Sequence, residues 1–174
     1  MHGLHCCRHL GLALLGACFL AACGGGDGGG PVLTAGVPGL LGDWQENGCV
    51  TAAGGDQSYR RLVRAKKKTD TSIWYSVVVS SYPNGNCSGP FISVGPQLLG
   101  DVAFSRFESN DRLAANWGGF TTVSHTVSAV VWAKKSEPVL CLLGDEKPSI
   151  LPTLQAVESS LQALPVQACF TQQR

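Results

Sequence analysis

The sequence predicts a mainly β domain, an antiparallel β-barrel or β-sandwich carrying one C-terminal α-helix, and three observations predict it. Between positions 57 and 143, short runs rich in β-branched and aromatic residues recur with turn signals at intervals of about 8 to 15 residues, the rhythm of an all-β domain. No long helical period interrupts those runs. An apolar stripe at spacings of three and four, the mark of an amphipathic helix, appears only near the C-terminus, at Leu154, Val157, Leu161 and Leu164.

In chain order, residues 1–9 carry Arg8 and three histidines, and residues 10–22 form an uncharged run of Leu, Ala, Gly, Cys and Phe. A positive start followed by a short apolar core reads as an export signal. Thirteen residues fall short of the roughly 20 that a spanning helix needs. Leu20-Ala21-Ala22-Cys23 then resembles the lipobox of bacterial lipoprotein signal peptides. That resemblance implies cleavage before Cys23, acylation of its sulfur (palmitate among the chains), and a membrane-anchored protein. Leu15-Gly16-Ala17-Cys18 has the same form, but cutting there would leave only residues 10–17 as apolar core and an apolar mature end. Ordinary secretory cleavage near Ala22 is the alternative. Several acyl chains, at about 0.8 kcal/mol per buried methylene, make a lasting anchor. Gly24 follows the cysteine, and by the same resemblance a residue other than Asp there implies the outer membrane of a Gram-negative envelope, on its periplasmic or surface side.

Residues 23–39 contain Gly24, Gly25, Gly26, Gly28, Gly29 and Gly30 around Asp27, then Pro31 and Pro38-Gly39. Such a composition buries too little apolar surface to offset its ordering entropy and reads as a tether. The expected organisation is thus a leader over 1–22, an anchored tether over 23–39 and a β-rich domain over 40–174. Removing the leader leaves 152 residues, enough for one core, with twelve Lys and Arg against twelve Asp and Glu. That even balance argues against a nucleic-acid partner.

Residues 57–65 and 72–82 read as a hairpin around a polar turn; in the second run Ile73, Tyr75, Val77 and Val79 share one face at period two. Pro83-Asn84-Gly85-Asn86 is turn chemistry. Further strands are expected over 91–94, 102–108, 112–117, 121–134 and 138–143, separated by Gly95-Pro96, Ser109-Asn110-Asp111, Gly118-Gly119 and Lys135-Ser136-Glu137. The helix is expected over 152–164, stopped by Pro165. Of eight cysteines, Cys49, Cys87, Cys141 and Cys169 remain free for the domain. In an exported chain four such cysteines favour two disulfides. Three pairings exist; Cys49–Cys87 with Cys141–Cys169 is preferred because each closes a neighbouring unit.

Gly42-Asp43-Trp44 stands at the start of the domain, ahead of a β-rich chain. It resembles the Gly-x-Trp motif on the first strand of lipocalin-like barrels, in which the Trp closes the barrel floor. The resemblance implies a barrel with Gly42 and Trp44 as structural residues, a terminal helix, and an interior that takes a small apolar ligand or lipid. Thr69-Asp70-Thr71 matches that family's Thr-Asp-Tyr motif only in part.

The catalytic inventory is thin. His125 is the only histidine beyond the leader, so a multi-histidine metal site is excluded and a Ser-His-Asp arrangement would depend on it alone. No Gly-x-Ser-x-Gly elbow, phosphate-binding loop or EF-hand loop occurs. Asp43 with Glu46, and Asp145-Glu146, are the nearest approach to paired carboxylates, and all sit at expected turns. Arg60, Arg61, Arg64, Lys66, Lys67 and Lys68 could touch anionic head groups or an acidic partner, or simply solvate a hairpin. The expected function is non-enzymatic: a lipid-anchored envelope protein, without cofactor or metal, binding a small apolar ligand or lipid in its barrel. The alternative is a structural or interaction protein docking on another envelope component.

Overall fold

The computed structural model describes residues 33, 34, 36–136, 138–144 and 151–174. The leader, Cys23, Asp145 and Glu146 lie outside them. One helical turn, α1 (Val37–Leu40), precedes β1 (Gly42–Glu46), β2 (Val50–Thr51), β3 (Ser58–Lys67), β4 (Ser72–Tyr82), β5 (Ile92–Ser109), β6 (Leu113–Thr122), β7 (Val127–Lys135) and β8 (Val139–Leu143). Helix α2 (Leu154–Ala163), a 3-10 turn (Val166–Ala168) and β9 (Phe170–Gln172) complete the chain.

Sheet order decides between barrel and sandwich. The strands run β1-β9-β8-β7-β6-β5-β4-β3, every pair antiparallel, and β1 also pairs with β3 through Trp44 opposite Val63. The sheet therefore closes on itself as an eight-strand barrel, with β2 a short extension along β3. This up-and-down order leaves no free edge around the closed ring.

Residue parity sorts side chains inside and out. On β4 the face read from period two points inward, placing Ile73 and Val77 in the interior core with Tyr75 and Val79 packed against it. On β7 the two faces serve different cores: Val130 and Trp132 point inward, while Val131 and Ala133 lie under α2 with Val157 and Leu161. A strand covered on both faces loses the polar alternation of a half-exposed one, hence its continuous apolar run.

Helix α2 begins at Thr153, whose side chain accepts from the Ala156 N–H at 3.2 Å. Trp117 Nε1 donates to Leu151 O at 2.8 Å, and Arg106 lies 3.9 Å over the Trp117 ring while donating to Pro152 O at 2.6 Å. These contacts pin the approach to α2 against the outer wall. The two disulfides are Cys49–Cys87 and Cys141–Cys169, as the spacing suggested. The second ties β8 to the residue before β9 beneath the helix.

Several expectations need correction. The domain starts before residue 40, because Val37 and Leu40 of α1 are buried in the barrel core. Gly95-Pro96 and Gly118-Gly119 do not break strands; β5 and β6 run through them. A Cβ on Gly118 would stand 2.2 Å from Ala103 O, and one on Gly100, at φ 153°, would stand 1.9 Å from Thr121 O. Glycine here admits close backbone approach within the sheet instead of marking a turn. Conversely, the expected strand over 121–134 is split by a turn at residues 123–126. There His125 takes φ 64° and donates its N–H to Thr122 O at 2.9 Å, while the Thr126 N–H reaches Thr122 Oγ1 at 3.0 Å.

Candidate functional site

The barrel interior is closed at one end by α1 and Trp44. Trp44 is fully buried and its Nε1 donates to Leu40 O at 2.9 Å, which fixes the ring across the floor. Gly42, at φ 129°, lets β1 start beside Gln172; a Cβ there would lie 3.0 Å from that side chain's Nε2. Trp44 is thus a buried residue at the start of the ring, and Gly42 a position of close approach to β9.

A cavity of about 110 Å³, open on one side, is lined by Tyr75, Val102, Phe120, Val130, Trp132 and Leu142, and reaches Leu143-Gly144. Its aromatic walls meet edge to face: Tyr75 stands 5.4 Å from Phe120 and 5.5 Å from Trp132, and Trp132 stands 5.8 Å from Phe104, centroid to centroid. Such T-shaped contacts hold the rings in place without filling all the space between them.

Two polar groups near the interior, Glu46 and Arg61, come from residues that the sequence placed in a turn and in the basic run. Glu46 lies two positions after Trp44, so it too points inward, and its side chain is 5% exposed. It accepts from the Arg61 backbone N–H at 2.9 Å, from Arg61 Nε at 3.1 Å and from Arg61 Nη2. Arg61 also lies 5.8 Å over the Phe170 ring. Its hydrogen bonds to the Glu46 carboxylate hold the Arg61 guanidinium even more firmly protonated, outweighing its partial burial. Tyr75 titrates above the ordinary tyrosine range because burial disfavours its phenolate; Arg61 opposes that shift and Glu46 reinforces it. Asn116, also buried, donates Nδ2 to Trp132 O at 3.2 Å, and its Oδ1 has no partner among the described residues.

Asp43 and Glu46 do not converge. Three residues apart on one strand, they point to opposite faces, Asp43 outward to Arg64 at 3.1 Å and Glu46 inward to Arg61. Parity thus removes the carboxylate pair that adjacency suggested. His125 is exposed in its turn. Among the described residues, no three of His, Cys, Asp or Glu come together as a metal site. The basic run is largely paired: beyond Arg61 and Arg64, Lys67 meets Asp70 at 2.6 Å and Lys68 meets Asp101 at 3.0 Å.

Outside the barrel, the first half of β5 presents Ile92, Val94 and Leu98 to solvent, joined by Phe91. A depression of about 380 Å³ opens there between Gln57, Ser81, Tyr82, Pro83, Pro90, Phe91 and Ile92. It is larger than the cavity at Tyr75, and Ile92 at its edge is 75% exposed.

No family model, curated protein or solved structure matches the chain. Its own geometry must therefore carry the functional reading.

Proposed function

We propose that this chain is a lipid-anchored, non-enzymatic binding protein of the outer membrane, whose barrel takes up one small apolar molecule about the size of a single ring. The observation that carries the reading is the cavity of about 110 Å³ walled by Tyr75, Phe120 and Trp132. A closed eight-strand barrel has room either for its own side chains or for one small ligand. An apolar protein cavity of about 150 Å³ binds benzene, whereas drug-sized ligands occupy roughly 300 to 1,000 Å³. The volume therefore favours a ring over the acyl chain of a lipid.

The anchor rests on Leu20-Ala21-Ala22-Cys23 and the glycine tether, and the two disulfides suit an exported domain. The non-enzymatic part is supported by carboxylates that part across the barrel wall and by an exposed, lone His125. Cys23→Ser should release the protein from the membrane fraction and abolish labelling by a fatty-acid probe; retained labelling would move the anchor elsewhere.

For binding, toluene titrated into the soluble Cys23→Ser form should shift the amide resonances of Tyr75, Phe120 and Trp132 saturably, while hexadecanoate should not. Shifts confined to residues 82–92, or no saturable shift, would contradict the proposal. The second reading, an envelope interaction protein, is favoured by one observation: the solvent-facing apolar row at Phe91, Ile92, Val94 and Leu98.

A further inference from the structure

We propose that Tyr75 is the polar anchor of the cavity, so that its preferred ligand is a ring bearing one uncharged hydrogen-bonding group, of the phenol class, and not a plain hydrocarbon. The inference rests on the binding reading above and narrows it to a ligand chemistry.

Three features converge on Tyr75. Among the described lining residues only Tyr75 and Trp132 carry a polar side-chain atom, and, since the indole offers a donor alone, only the Tyr75 hydroxyl can accept as well as donate. Its ring is held by edge contacts with both Phe120 and Trp132, which fixes the direction of the Cζ–O bond. Among the described residues no side-chain hydrogen bond reaches its hydroxyl; what acts on it is burial and the more distant charges of Arg61 and Glu46. The hydroxyl is not among the fully buried atoms that lack a partner, so it stays reachable from the cavity, and a ligand group that pairs with it replaces water by a hydrogen bond shielded between the rings.

The charge of the ligand follows from the neighbouring ion pair. Arg61 and Glu46 compensate each other through several hydrogen bonds, so among the described residues the interior offers no uncompensated charge to a carboxylate or an amine. Such a ligand would lose its hydration without gaining a counter-charge. A neutral phenol, alcohol or ketone on a ring avoids that loss. Because burial keeps Tyr75 protonated, it both donates and accepts at neutral pH, and either polarity of ligand group suits it.

The test measures affinities of toluene, phenol and benzoate for the Cys23→Ser protein and for the same protein carrying Tyr75→Phe. That substitution keeps the ring and its edge contacts and removes only the hydroxyl. The expected result is a fall of about 3- to 10-fold in the phenol-to-toluene affinity ratio, the scale of one neutral hydrogen bond, with toluene binding little changed. Benzoate should bind no better than toluene in either protein. An unchanged ratio, with both ligands still bound, would overturn the anchor and leave the binding reading standing. Preferred binding of benzoate would overturn it by shifting recognition to Arg61. Failure of all three ligands to bind the folded protein would remove the binding reading and this inference together.

Discussion

Trp44→Ala is expected to destabilise the domain by about 3 to 5 kcal/mol, the cost of truncating a large buried aromatic in a core that cannot fully collapse around the void. Trp44 is fully buried, sits opposite Val63 where β1 closes the ring, and packs with Leu40 of α1 across the floor. Its loss also leaves the Leu40 carbonyl without the indole N–H, which reaches it at 2.9 Å. Trp44→Phe separates the two contributions: it keeps most of the apolar contact and sacrifices the hydrogen bond, and should cost about 1 to 3 kcal/mol. Phe91→Ala is the control, since Phe91 is 54% exposed and surface changes usually stay within about 0.5 kcal/mol. Denaturant melts of the three variants measure this series. A Trp44→Ala cost near that of Phe91→Ala would mean that β1 does not close the barrel as described.

Replacing Cys141 and Cys169 together with alanine should cost roughly 3 to 4 kcal/mol, the chain-entropy value for a closed loop of this length. The residues are 28 positions apart, and the loop between them holds α2. β9 has three residues and two pairings to β8, yet it is the strand that joins β8 to β1. Without the bond, β9 should fray first. Amide exchange at Phe170–Gln172 and in β1 should accelerate before exchange in β4 or β7 does. Wild-type protein with its disulfides reduced should show the same early loss. A stability change under about 1 kcal/mol, with no preferential exchange in β9, would show that side-chain packing alone holds the closure.

How far the sequence reveals this molecule depends on whether a feature is local. The β4 face, the α2 stripe and the cysteine framework rest on spacing within one segment, and all three appear in the structure as read. Barrel closure is non-local, and only the pairing of β1 with both β3 and β9 distinguishes it from a sandwich. Gly95 and Gly118 look like turn residues because a glycine that admits a close neighbouring strand resembles, in sequence, one that turns the chain. The turn at 123–126 was hidden for the opposite reason: its residues are β-branched or polar and include neither Gly nor Pro. The interior polar groups were partly legible. With Trp44 pointing inward, period two places Glu46 inward as well, which would have removed it from the supposed turn pair. Arg61 as its partner required the β1–β3 register. Tyr75 lies on the β4 face that period two picks out, but its meeting with Phe120 and Trp132 brings β4 to β6 and β7 across the barrel, which no local spacing shows.

The central claim is that the barrel interior, and not the apolar rim, is where the protein binds a ligand. It is tested most directly by determining the crystal structure of the Cys23→Ser protein soaked with toluene. The account predicts toluene enclosed between Tyr75, Phe120 and Trp132, with the barrel wall unmoved. Toluene found only in the depression beside Tyr82 and Phe91, with the space around Tyr75 and Trp132 closed by a side-chain shift, would contradict it.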